Sequence, residues 1–150
     1  MTNGDINQWI QRARGVIVEH EHNRDAMYHT VSYLLTNDFC GIGHRVSMSR
    51  ILDYLNQQGI RLSRENFQQT ILGELKRRGI VATLVYPGRQ GGVFIPQCVE
   101  DVETVVRQIL RRIVAEVGNL RGLVLGTPFA NMWQEVEEYL SQIERQFNER

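Results

Sequence analysis

Residues 46–96 read VSMSRILDYLNQQGIRLSRENFQQTILGELKRRGIVATLVYPGRQGGVFIP, and the order of elements in this stretch decides the fold. Met48, Ile51, Leu52 and Leu55 recur at helical spacing. Ser47 or Ser49 is suited to accept from the first-turn amides, and Gly59 to the left-handed residue that ends the helix. After the short turn Gly59-Ile60-Arg61-Leu62, a second helix is expected from Ser63 to Arg78. Ser63 is its N-cap and Glu65 lies in the first turn, where the helix dipole favours negative charge. Phe67, Ile71, Leu72 and Leu75 form its apolar stripe. Lys76, Arg77 and Arg78 complement the C-terminal end, and Gly79 closes it. Ile80 to Tyr86 is rich in β-branched residues and reads as a strand. Pro87-Gly88-Arg89-Gln90-Gly91-Gly92 reads as a turn, with Gly91-Gly92 supplying positive φ where the ribbon reverses or bulges, and Val93 to Pro96 as the return strand. Arg45-Val46 is suited to pair with this ribbon as a short strand.

Outward from this segment the chain reads as helix. Ile6, Trp9, Ile10, Ala13 and Ile17 mark one face of a first helix from Asp5 to about Val18, which Gly15 weakens by about 1 kcal/mol relative to Ala. A second helical run spans Asn23 to Thr36, with Ala26 or Met27, Val31, Leu34 and Leu35 on one side. Asn37-Asp38 breaks it, and Cys40-Gly41-Ile42-Gly43 links it onward. Beyond Pro96, Val99, Val102, Val106, Ile109, Ile113, Val117 and Leu120 repeat at steps of 3 and 4, close to a heptad seam. Gly118 and Gly122 bracket its expected end, and residues 122–126 read as a loop. Thr127-Pro128 then reads as N-cap and first residue of a terminal amphipathic helix. It carries Phe129, Met132 or Trp133, Val136, Leu140, Ile143 and Phe147 on one face and Glu135, Glu137, Glu138 and Glu144 on the other.

A chain of 150 residues with 42% hydrophobic and 23% charged residues is an ordinary globular composition. It is long enough to bury roughly 70% of its unfolded surface without staples. Cys40 and Cys98 lie too far apart for a Cys-x-x-Cys pair and read as buried small hydrophobes in a reducing compartment. With no signal peptide and no apolar run near membrane-spanning length, a cytoplasmic protein without membrane attachment is expected.

The formal net charge is zero, but the distribution is uneven. Residues 44–92 hold eight Lys or Arg against three acids. Residues 1–43 hold three against five, and residues 93–150 hold six against nine. The excess positive charge therefore sits on the segment quoted above, where it can steer a polyanion to one surface.

The Ser47-led helix, the Gly59 turn, the Ser63-led helix, the Leu75-Lys76-Arg77-Arg78-Gly79-Ile80-Val81 exit and the Gly91-Gly92-Val93-Phe94 return resemble the winged-helix superfamily of DNA-binding proteins. The resemblance covers about a third of the chain, or half if the helix at 23–36 is counted. The flanking helices are similar in layout to those of dimeric bacterial regulators. The fold class expected is mainly α with a small β-wing. It comprises an N-terminal helix (1–22) packed on the C-terminal helices, a winged-helix domain (23–97) and a C-terminal helical dimerisation region (98–150).

What the resemblance implies is duplex DNA binding by a homodimeric transcription regulator. A helix fits the major groove, where Arg bonds guanine and Gln bonds adenine in bidentate fashion. The base-reading candidates are Arg64, Glu65, Gln68, Gln69 and Thr70. Arg50, Arg61, Lys76, Arg89 and Gln90 are candidates for phosphate or wing contacts. Candidates for the dimer interface are Trp9, Ile10, Val106, Ile109, Ile113, Phe129, Trp133 and Leu140. A two-fold dimer would present two recognition helices to a pseudo-palindromic site.

Plainer readings stand beside these. Arg64, Gln68 and Gln69 also suit a solvated helix face, and Lys76-Arg77-Arg78 also complements the helix dipole. The competing function is a winged-helix module that joins a larger protein complex through Arg64, Gln68 and the acidic terminal helix. His20 and His22, two apart, do not face one way on a helix, so no metal site is expected in Glu19-His20-Glu21-His22. Cys40, followed by Gly41 and Gly43 that would leave it exposed, is a redox-sensor candidate without a resolving partner nearby in sequence. No nucleophile elbow or phosphate-cradling loop is present, so neither catalysis nor a cofactor is expected.

Overall fold

The computed structural model describes residues 3–86, 89–125 and 132–149. The chain is mainly helical with a two-stranded antiparallel sheet, a winged-helix-like arrangement, and divides into two compact units, Met1–Gln108 and Ile109–Arg150.

In the first unit, α1 (Asn3–His20) packs on α2 (Ala26–Thr36), α2 on α3 (Met48–Gln57), and α3 on the start of α4 (residues 64–77). The local signals act where they stand. Asp25 caps α2 by accepting the Tyr28 amide at 3.1 Å. Ser47 rather than Ser49 caps α3 through the Arg50 amide, and Ser63 caps α4 through the Asn66 amide at 3.1 Å. Both helix ends close in the same way. Gly59 (φ 82°) and Gly79 (φ 68°) take the left-handed conformation, so that Ile60 N–H reaches the Leu55 carbonyl and Ile80 N–H the Leu75 carbonyl, each at 2.9 Å. Ile60 and Ile80 thereby turn back onto the core.

That core is built from Ala13 and Val16 of α1, Met27, Val31 and Leu34 of α2, Ile51 and Leu55 of α3, and Phe67, Leu72 and Leu75 of α4. Ile80, Val81, Val93 and Ile95 close it from the ribbon side, and Trp9 packs against it. The first helix is therefore built into the core of the first unit. Each fully buried Leu or Phe contributes roughly 1.5–3 kcal/mol relative to exposure.

The ribbon pairs β1 (Ala82–Tyr86) with β2 (Arg89–Phe94), with Ala82 opposite Phe94 and Leu84 opposite Gly92, and a bulge before the Tyr86–Arg89 pair. The second strand starts at Arg89, earlier than expected. Val46 adds the anticipated short bridge, exchanging both backbone bonds with Val93 at 3.0 and 2.8 Å. Gly91 and Gly92 do not adopt positive φ. They are needed for close approach: a Cβ on Gly91 would lie 2.5 Å from the Leu84 carbonyl oxygen, and one on Gly92 2.5 Å from the Cβ of Arg45.

Helix α5 (Val99–Leu125) begins in the first unit and continues into the second. It runs straight through Gly118 and Gly122, so the loop expected at residues 122–126 is helical up to Leu125. Its inward residues in the first unit are not the expected seam. Val105 packs on Leu84 and Phe94 of the ribbon, and Asp101 is buried, whereas Val106 is 45% exposed. Asp101 accepts the Ile42 amide at 3.3 Å and the Gln97 amide at 2.9 Å, which satisfies the buried carboxylate. The Gln108 side-chain amide pairs with both backbone groups of Val85 at the bulge.

The second unit contains the rest of α5 and α6 (Met132–Asn148). Ile113, Val117 and Leu120 of α5 and Val136, Leu140 and Ile143 of α6 line one apolar groove of about 590 Å³. The Thr127-Pro128 start and Phe129 lie outside the described residues.

Candidate nucleic-acid interface

Helix α4 is continuous but not uniform. It starts as α-helix at Arg64–Asn66, passes through a π turn at Phe67–Leu72, and resumes as α-helix at Gly73–Arg77. Phe67, Leu72 and Leu75 are fully buried and tie one side of the helix to the core. The opposite side leaves all five base-reading candidates, Arg64, Glu65, Gln68, Gln69 and Thr70, exposed. Gln69 Nε2 donates to Glu65 Oε1 at 3.4 Å, and the Thr70 hydroxyl donates to the Asn66 carbonyl at 2.7 Å. The strip thus presents a guanidinium, a carboxylate and two amides, the donor and acceptor types that match base edges in a major groove.

Arg61 joins this strip. It is exposed in the turn before Ser63, and together with Leu52, Asn56, Ile60, Leu62 and Ser63 it lines a shallow depression at the start of α4. Lys76 is exposed in the last turn. Arg50 lines a different groove with Tyr33, Asp53, Tyr54 and Gln57, and its guanidinium sits 5.7 Å from the centre of the Phe39 ring. Arg89 and Gln90 open β2, but their side chains lie outside the described residues.

Two cations at the exit of α4 have acidic partners that the sequence reading missed. Arg77 donates to Glu74 at 3.0 Å on the helix surface, an exposed pair worth a few tenths of a kcal/mol. Arg78 donates to Glu19 of α1 at 2.8 Å. The i,i+3 spacing of Glu74 and Arg77 could have revealed the first. Nothing local signals the second, which spans 59 residues.

Over 123 residues the chain is 41% identical to a Methanocaldococcus jannaschii protein named "Putative control protein C.MjaVP", a match that takes in 79% of this chain and 75% of that relative. The chain belongs to that protein's family. No family model matches it, and no solved structure does.

For this relative of the control protein, the chemistry set aside in the sequence has structural uses. His20 Nδ1 lies 2.9 Å from Asp25, whose other carboxylate oxygen caps α2, and Glu19 holds Arg78. Among the described residues no group of three His, Cys, Asp or Glu is placed to hold a metal ion. Cys40 is buried, and burial, with the Asp38 charge, pushes its thiol pKa up, away from thiolate chemistry. No described helix is long and apolar enough to cross a membrane.

The dimer candidates fall in different surroundings. Trp9 and Ile10 are half-buried in the first unit. Ile109 and Ile113 are 45% and 43% exposed, and Leu140 is 37% exposed. Trp133 is half-buried and donates its indole N–H to Glu137 at 2.9 Å.

Proposed function

We propose that the protein binds duplex DNA through α4 and the wing, as a sequence-specific transcription regulator working in the cytoplasm. The observation that carries this reading is the two-sided character of α4. Phe67, Leu72 and Leu75 anchor it, while Arg64, Glu65, Gln68, Gln69 and Thr70 stand exposed on the one segment with excess positive charge. The name of the M. jannaschii relative supports a regulatory role. Arg61 and Arg64 approach phosphate and guanine at the start of α4, and Lys76 and Arg89 add backbone contacts.

The protein acts as a homodimer on this reading, through the apolar faces of the terminal helices. Support comes from the apolar groove of the second unit and from its charges. In that unit α5 carries Arg111, Arg112 and Arg121 against Glu116, whereas α6 carries Glu135, Glu137, Glu138 and Glu144 against Arg145. The basic helix of one copy is complementary to the acidic helix of another. A second reading, docking onto a protein partner, is favoured by the pairing of Arg77 and Arg78 with acids, which lowers the charge offered to phosphate.

Duplex binding by the Arg61→Ala/Arg64→Ala variant separates the two. DNA binding through this face predicts at least a tenfold loss of affinity, and parent-like affinity contradicts it. Sedimentation at tens of micromolar predicts a dimer. A monomer there removes the two-half-site arrangement.

A further inference from the structure

The π turn of α4 changes which side chains face outward. In an α-helix with Phe67 turned inward, residues three and four further on, Thr70 and Ile71, stand on the same face, and Leu72 turns away. The protein does the opposite. Leu72, five residues from Phe67, is fully buried like it, Ile71 is half-buried and Thr70 is exposed. One extra residue is accommodated in the turn, and the Gly73 amide accordingly bonds the Gln68 carbonyl, five residues back. Gly73 suits the resulting crowding, because a Cβ there would lie 3.3 Å from the Gln68 carbonyl oxygen. The outcome is three consecutive exposed polar side chains, Gln68, Gln69 and Thr70, beside Arg64 and Glu65.

We propose that this π turn sets the sequence preference of the protein, with Gly73 as its positioning residue. The inference rests on the duplex-binding reading above. The turn holds Gln68, Gln69 and Thr70 in a strip that a regular α-helix would not present. Arg61 supplies affinity through phosphate, Arg64 meets guanine, and the turn supplies the register in which the amides meet bases. A contact that only adds affinity acts on every sequence alike, whereas a change of register alters discrimination between sequences.

Deleting Ile71, which is half-buried and outside the base-reading strip, tests this directly, because it removes the extra residue and leaves all five base-reading candidates in the chain. The deletion leaves Phe67 and Leu72 four apart, so both remain on the core face of an ordinary α-helix. Parent, the Ile71 deletion and Gly73→Ala are each put through selection from a randomised duplex library. Each is then titrated against the parent's selected duplex and an unrelated one at fixed salt. The parent is expected to enrich a defined sequence. The deletion is expected to keep the parent's circular dichroism and its affinity for unrelated duplex within about threefold. Its discrimination in favour of the selected duplex is expected to fall at least tenfold, and that of Gly73→Ala several-fold. Parent-like discrimination in the folded deletion overturns the proposal. If the deletion does not fold, parent-like discrimination in Gly73→Ala overturns it. A parent that binds no duplex at low salt overturns the duplex reading itself, before the variants are compared.

Discussion

The Arg78 guanidinium donates a 2.8 Å hydrogen bond to the Glu19 carboxylate and so joins the last turn of α1 to the exit of α4. The pair leaves Arg78 part-shielded, and the guanidinium, by hydrogen bond and charge, holds the Glu19 carboxyl below its ordinary pKa. Glu19→Gln should therefore release a cation beside the proposed interface. Duplex affinity at low salt should rise, and the log–log salt slope should steepen by up to about 0.9, the equivalent of one phosphate. An unchanged slope in a fluorescence-anisotropy salt series would show that Arg78 lies away from the bound duplex.

Ser63 caps α4 by accepting the Asn66 amide, and Ser47 caps α3 by accepting the Arg50 amide. Ser63→Ala and Ser47→Ala should each cost about 1 kcal/mol, read as a lower urea midpoint at constant m-value. Their sites are distinct, so the double variant should lose close to the sum.

Thr30 is fully buried in α2, and its hydroxyl has no hydrogen-bond partner among the described residues. Thr30→Val keeps the branched shape and removes an unsatisfied polar group, so it should stabilise the protein by about 1 kcal/mol. A urea titration showing lower stability would mean that the hydroxyl is satisfied in solution.

The carboxyl of Asp25 is also held low. Burial alone would raise its pKa, but the Tyr28 amide and the His20 imidazole outweigh burial and favour the charged form. A carboxylate with a depressed folded pKa contributes fully above its unfolded value, near 4, and loses that contribution as pH falls through the lower folded value. Stability should therefore be insensitive to Asp25 and Glu19 near neutral pH and decline below about pH 4. Asp25→Asn should flatten that acid-side decline in thermal melts taken across the range. A decline identical to the parent's would assign the acid sensitivity to other groups.

The helices and ribbon of the first unit were legible because their signals are local. Ser63 and Gly79 bracket α4 within their own turns, and Gly59 ends α3 by the same backbone geometry. The π turn was not legible, because Phe67, Ile71, Leu72 and Leu75 read from spacing alone as the stripe of an ordinary α-helix, and only packing shows that Leu72 turns inward together with Phe67. Gly91 and Gly92 were recognisable as special, but the reason lay in the approach of Leu84 and Arg45 from elsewhere in the chain. The same holds for Asp101, Gln108 and Glu19, ordinary surface residues by sequence whose roles depend on partners 59, 23 and 59 residues away. Of the candidate strip, the exposure of Arg64, Glu65, Gln68 and Gln69 followed from amphipathic spacing, whereas that of Thr70, set by the π turn, and the place of Arg50 over Phe39 did not.

The central claim, that the basic face of the first unit grips duplex DNA, is tested most directly by the affinity of the unmodified protein for duplex across a salt series. Contact with roughly six phosphates predicts a log–log slope near −5 and a loss of about three orders of magnitude between 50 and 200 mM salt. No measurable binding to any duplex at 50 mM, or affinity that does not change with salt, would contradict it.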